Sequence, residues 1–170
     1  MTRATEEADL QAKQIESPYG TMTIVGSSEG VRAILWHDDD PTRVGLSGIP
    51  LGRATVDVVD TAAFQLEEYF DGTRRAFDLI LDLRGTPFQI AAWRALAEIP
   101  YGETRTYAAQ AALLGIPAAA RAVGTANGRN PLSIVLPCHR VVGSNGSLRG
   151  FAGGLDAKAA LLALERAHAR

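Results

Sequence analysis

Residues 106–131 read TYAAQAALLGIPAAARAVGTANGRNP, and this stretch decides the fold of the half of the chain that holds its single cysteine. Thr106 is a helix N-cap, and the helix it opens runs to Leu114, where Gly115, Ile116 and Pro117 stop it. A second short helix follows from Ala118 to about Gly128. Two short helices across a tight glycine turn make a helix-turn-helix candidate, although the pattern also fits plain packing of an α-hairpin. Around Arg121 the second helix carries Ala118, Ala119, Ala120, Ala122, Gly124 and Ala126, small enough for its backbone to approach a ligand closely.

Upstream, Gly85, Thr86 and Pro87 break the chain, and residues 88–99 place Ile90, Trp93, Leu96 and Ala97 at helical core spacing. Downstream, Asn127 to Pro131 lead into an apolar run at 132–136, read as a strand, which delivers Pro137, Cys138, His139 and Arg140. A last helix at 157–167 turns Leu161, Leu162 and Leu164 inward. The first half has a different period. Residues 14–36 alternate as two strands of one hairpin with a turn at 27–30. A loop at 37–53 follows, holding His37 and Asp38, Asp39 and Asp40. Residues 56–70 then put Val59, Ala62, Ala63, Leu66 and Phe70 on one helical face, and 77–83 alternate as a strand. The expected organisation is a frayed tail at 1–12, an α/β unit at 13–85 without a chemical motif, and a mostly helical unit at 86–170.

Composition is that of an ordinary globular protein: 170 residues, 46% hydrophobic and 21% charged. No apolar run approaches the roughly 20 residues a spanning helix needs, and the opening is polar and acidic, so a cytoplasmic protein with no membrane contact is expected. One cysteine and three histidines exclude an internal disulfide and multi-cysteine zinc clusters, and no metal or cofactor is expected. Net charge of -2 hides an asymmetry: residues 1–86 sum to -7 and residues 87–170 to +5. Between Thr104 and Leu155 stand Arg105, Arg121, Arg129, Arg140 and Arg149 without a single carboxylate. Such a surface suits phosphate, and it equally suits the plain solubility of an alanine-rich domain.

A buried thiol acting as a small hydrophobe is common, so Cys138 needs neighbours to be chemical. Only thiolate is a strong nucleophile, and it requires a base or a nearby positive charge. His139 and Arg140 follow Cys138 directly, but in a strand they point to opposite faces, so contact requires a turn, which Pro137 permits. An imidazole that becomes cationic gains from a carboxylate on its other nitrogen. Of the four acids after residue 86, Glu165 is the candidate; it is also readable as an exposed helix acid paired with Arg166 or Arg170.

The run IVLPCHRVV at 134–142 resembles the active-site signature of the DNA alkyltransferases that repair alkylated guanine, the methylated-DNA–protein-cysteine methyltransferases. The likeness extends through RAVG at 121–124, NGRNP at 127–131, GFAGG at 150–154 and PYGETRTY at 100–107 to Glu165. It is strong over about residues 86–166 and only outlined before them.

The resemblance implies a ribonuclease-H-like α/β lobe followed by a winged-helix-like DNA-binding lobe. It also implies irreversible transfer of an alkyl group from guanine O6, and less so thymine O4, to Cys138. His139 would be the water-mediated base, Glu165 its partner, Asn130 the holder of the active-site turn and Tyr107 the hydroxyl that meets the flipped base. Arg121 would enter the DNA stack from the minor groove, with Ala120, Ala122, Gly124, Thr125, Asn127 and Arg129 as further DNA-facing residues. Val141, Phe151 and Ala152 would border the base. The implied partner is double-stranded DNA containing O6-alkylguanine, bound by a monomer, with cooperativity along DNA left open. Phe151 departs from the family's usual tyrosine, and the zinc site of larger members has no cysteines here. Two rivals keep the same residues in view. A transfer-inactive lesion-binding alkyltransferase-like protein would lack Cys138, and a thiol hydrolase would turn over.

Overall fold

The computed structural model describes residues 9–48 and 57–170. The sequence readings that fall on residues 1–8 and 49–56 lie outside them. The described chain divides into two compact units that meet in sequence at Arg84 and Gly85.

In the first unit, β1 (Gln11–Ser17), β2 (Gly20–Ser27) and β3 (Gly30–Leu35) form an antiparallel sheet in that order. The reading of two strands is therefore corrected to three. Pro18 and Tyr19 interrupt the alternation, and Ser17 Oγ closes the turn by donating to Gly20 O at 2.7 Å. Gln11 pairs with Gly26, so the strand begins inside the residues read as tail. The central strand β2 is buried from Met22 to Ser27, because sheet neighbours flank it and α1 (Asp57–Phe70) contacts the sheet. That helix turns Val59, Ala62, Ala63, Leu66 and Tyr69 inward, an apolar stripe at helical spacing.

Residues 77–83 are extended but not a ladder strand. Only Leu81 bridges to Val31, through Val31 N–H to Ile80 O and Asp82 N–H to Val31 O, both 2.9 Å. The close approach explains Gly30: a Cβ there would stand 2.6 Å from Ile80 O.

The second unit opens with α2 (Pro87–Leu96), started by a capping box between Thr86 and Gln89 with Pro87 in the first turn. After the short strand β4 (Arg105–Thr106), Thr106 Oγ1 accepts from Ala109 N–H at 3.0 Å and caps α3 (Tyr107–Leu113). Gly115, at φ 77°, takes the left-handed conformation that ends it. A 3₁₀ turn at Pro117–Ala119 then feeds α4 (Ala120–Asn127). Trp93 Nε1 donates to Ala126 O at 2.8 Å, and Gln110 Nε2 donates to Ala92 O at 3.1 Å, so buried polar groups lock α2, α3 and α4 together.

The apolar run 132–136 is not a strand but a largely buried turn, with Leu136 N–H donating to Leu132 O at 2.9 Å. A short apolar run signals burial and not geometry, which is why sequence misjudged it. Cys138–Arg140 form a 3₁₀ turn, β5 (Val141–Val142) pairs in parallel with β4, and α5 (Leu155–His168) closes the unit. Its inward residues are Leu161, Leu162 and Glu165, whereas Leu164 is only half-buried.

Candidate active site

The turn before Cys138 is held by one side chain. Asn130 Nδ2 donates to Leu136 O at 2.8 Å, and Asn130 Oδ1 accepts from Leu132 N–H at 2.9 Å. At its apex Ile134 sits at φ 76°, a conformation a β-branched residue rarely adopts. Strain of about 1–3 kcal/mol is expected there, and Asn130 is the clamp that offsets it.

The clamp delivers Cys138 at the start of the 3₁₀ turn, 8% exposed, and turns His139 and Arg140 into the interior. His139 Nε2 lies 2.7 Å from Glu165 Oε1, with both side chains fully buried. Arg140 grips the same carboxylate, Nε at 2.9 Å from Oε2 and Nη2 at 2.8 Å from Oε1, and its Nη1 donates to Ile99 O at 2.6 Å. Gly102 N–H adds a further bond to Glu165 Oε2 at 3.2 Å. The exposed-acid reading of Glu165 is thereby excluded.

Burial alone would raise the Glu165 carboxyl, but the bonds and charges of His139 and Arg140 outweigh it and hold it at about 2. With Glu165 ionised, His139 Nε2 carries the proton and Nδ1 is the basic nitrogen. Burial pushes the imidazole below its ordinary value, against the pull of Glu165. A ring that is neutral at rest and backed by a carboxylate is suited to receive a proton from a neighbouring thiol.

One residue of the site was missed in the sequence: Lys158. It is fully buried, donates from Nζ to Arg149 O at 2.8 Å, and holds Nζ 5.9 Å from the centroid of the Tyr107 ring. Burial depresses it while the charge of Cys138 draws it back up, so the ammonium and the sulfur lie within electrostatic reach. Tyr107 is raised by burial first and by Cys138 second. The signal was legible: Lys158, Leu161, Leu162 and Glu165 occupy i, i+3, i+4 and i+7, the buried stripe of α5.

Phe151 and His139 form an edge-to-face ring pair, centroids 6.5 Å apart at 71°. Val141 is fully buried, backbone included, and Ala152 is exposed. Along α4, Arg121, Ala122 and Thr125 are exposed, as is Arg129 beyond it, and Ala120 is half-buried. Gly124 faces inward, where a Cβ would stand 3.7 Å from the Tyr107 ring. Asn127, read as a DNA-facing residue, also turns inward: its Nδ2 donates to Gln110 Oε1 at 2.8 Å and its Oδ1 accepts from Gln110 Nε2 at 3.1 Å. Its amide completes the α3–α4 lock. An open cleft of about 650 Å³ runs beside α4, lined among others by Thr86, Gln89, Arg121, Thr125 and Arg129; Cys138 is not part of it. Among the described residues no group of three or more His, Cys, Asp or Glu is placed to hold a metal, and no helix is long and apolar enough to cross a membrane.

Residues 87–167 match the family described as 6-O-methylguanine DNA methyltransferase, DNA binding domain, and residues 12–83 match its ribonuclease-like domain. The methylated-DNA–protein-cysteine methyltransferase of Mycolicibacterium paratuberculosis is 47% identical over 161 residues, 94% of each chain. The protein of that name from Methanosarcina barkeri is 46% identical, over 92% of this chain and 97% of its own. Among solved structures, Mycobacterium tuberculosis OGT in complex with DNA superposes with a TM-score of 0.83 at 41% identity, covering 92% of this chain and 93% of that one. On these matches, which span both units and the Cys138 site, the chain belongs to the 6-O-methylguanine DNA methyltransferase family.

Proposed function

We propose that this chain repairs DNA by direct reversal, moving an alkyl group from guanine O6, and less readily from thymine O4, onto Cys138. The observation that carries this reading is the buried Glu165–His139 pair in the turn that presents Cys138. His139 Nδ1 takes the thiol proton, directly or through one water, and Glu165 stabilises the imidazolium that results. The thiolate sulfur then attacks the alkyl carbon in line with its bond to O6. As the S–C bond forms, the C–O6 bond breaks and its electron pair passes to guanine. Tyr107 donates a proton to that anion and regains one from solvent, while the imidazolium of His139 releases to solvent the proton it took from Cys138, so the balance closes. The thioether product has no route back, so each chain acts once.

In-line attack requires the base to leave the stack, because a stacked base blocks the approach. The α3–α4 pair serves as a helix-turn-helix whose small-residue face enters the minor groove. Arg121 fills the gap, and Arg129 and Thr125 lie on the same exposed side. Lys158 acts as a positioning residue: its charge favours the thiolate, and its place over the Tyr107 ring orients the proton donor. The protein works as a monomer on one lesion.

Intact-mass measurement after mixing with a duplex containing one O6-methylguanine tests this. One added methyl per chain is expected, none in Cys138→Ser, and no second turnover. An unmodified chain, or a methyl placed elsewhere, would refute it.

A further inference from the structure

α4 is a smooth helix: of its eight residues only Val123 is a large apolar side chain, and Ala120, Ala122, Gly124 and Ala126 offer no ridge to interlock with a neighbour. Such a helix slides or rolls unless something directional holds it. Two amides do so. Gln110 of α3 is fully buried, and Asn127, the last residue of α4, is 7% exposed. Asn127 Nδ2 donates to Gln110 Oε1 at 2.8 Å, and Gln110 Nε2 donates to Asn127 Oδ1 and to Ala92 O, both at 3.1 Å. The Gln110 amide thus ties α4 to α2 and α3 at once. The tie continues toward the sulfur: Asn130 N–H donates to Asn127 O at 3.1 Å, and the Asn130 side chain holds Leu132 N–H and Leu136 O, two residues before Cys138. Near the other end of α4, Arg121 is exposed on the cleft face.

We propose that Gln110 is a positioning residue for transfer from duplex DNA: joined to Asn127, it fixes the register of α4 against the turn that presents Cys138. This deepens the transfer function proposed above and rests on it. With Arg121 in the DNA stack, the place where a flipped base arrives is set by α4, whereas the place of the sulfur is set by Asn130. In-line attack tolerates little error between the two, since a displacement of about 1 Å can cost about 100-fold in rate. An apolar pair at 110 and 127 would fill the same space without fixing a length or a direction. Buried hydrogen bonds fix both. Free base reaches the sulfur by diffusion, without α4, so its reaction does not depend on the tie.

The test is single-turnover methyl transfer from a duplex with one O6-methylguanine and from the free base O6-methylguanine, in the wild type, Gln110→Leu/Asn127→Met and the exchanged pair Gln110→Asn/Asn127→Gln. Replacing both amides together leaves neither side chain with an unmet partner, so the melting temperature should stay near wild type. The rate at saturating duplex is expected to fall about tenfold or more, with duplex affinity and the free-base rate within about twofold of wild type. The exchanged pair, which keeps an amide on each side, should recover part of the loss. An unchanged duplex rate overturns the proposal. So does an equal fall on duplex and free base, which marks mere support of the Cys138 turn, and so does a loss confined to affinity or an exchanged pair no better than the apolar one. Gln110→Met alone is read in the same way should the double variant not fold. A wild type that transfers from neither substrate removes the transfer function itself, which the wild-type arm detects separately.

Discussion

Asp82 in the first unit and Glu165 in the second are both buried carboxylates held by an arginine, and the two differ in what else they touch. In the first unit Asp82, 5% exposed, accepts from Ser27 Oγ at 2.7 Å and from Arg84 Nε at 2.6 Å. Arg84 is 40% exposed and reaches Glu29 at 3.2 Å. None of the partners there is an imidazole or a thiol. In the second unit Glu165 is sealed, and beside Arg140 it holds an imidazole next to a cysteine. A buried ion pair is therefore no signature of chemistry by itself. What separates the two is a titratable ring and a nucleophile attached to one of them.

The largest way to break this contrast is Glu165→Ala. It leaves Arg140 buried without its carboxylate, so a loss of about 3–5 kcal/mol is expected in denaturant unfolding, with methyl transfer slowed about 100-fold or more. The pH dependence of stability sharpens it. Glu165 falls from an ordinary 4.5 to about 2 on folding, so its contribution, on the order of 3 kcal/mol, is full above pH 4.5 and is lost as pH falls toward 2. His139 adds in the same direction: burial lowers it from 6.5, the unfolded ring binds more protons, and folding weakens as pH drops below 6.5. Acid titration of unfolding should lose the part of this slope below pH 4.5 in Glu165→Gln and keep the His139 part.

Lys158→Met, which keeps the volume and removes the charge, is expected to leave the melting temperature near wild type while slowing transfer about tenfold, more at neutral than at alkaline pH. A uniform slowing at all pH values would reduce Lys158 to a structural role. Arg121→Ala should slow repair in duplex DNA about tenfold and leave reaction with the free base alone; equal slowing on both would remove its gap-filling role. The smallest effect is expected from Asp82→Asn: about 1–2 kcal/mol of stability and no change in transfer rate. A rate loss there would dissolve the distinction between the two carboxylates.

Much of this was legible in the chain because local chemistry and tertiary structure agree. Thr86 and Thr106 cap the helices their sequence announces, and Gly115 stops α3 where its left-handed φ is needed. The pairing of His139 with Glu165 was legible because an imidazole beside a lone cysteine calls for a carboxylate and the basic half holds only four acids. Non-local facts were not. The turn at 132–136 depends on an amide six residues from the carbonyl it binds, and hydrophobicity cannot tell a buried turn from a buried strand. Asn127 is polar on a helix that also displays Arg121, and only the position of Gln110 reveals that its amide points inward. Lys158 was overlooked because a lysine is read as exposed unless its helical stripe is followed through to Glu165.

The most direct test of the central claim, that Glu165 acts on Cys138 through His139, is the pH–rate profile of methyl transfer in the wild type and Glu165→Gln side by side. The mutant should lose most near neutral pH and converge toward the wild type at alkaline pH, where hydroxide removes the thiol proton without the imidazole. Profiles of identical shape, whether superimposed or offset by a constant factor, would contradict it.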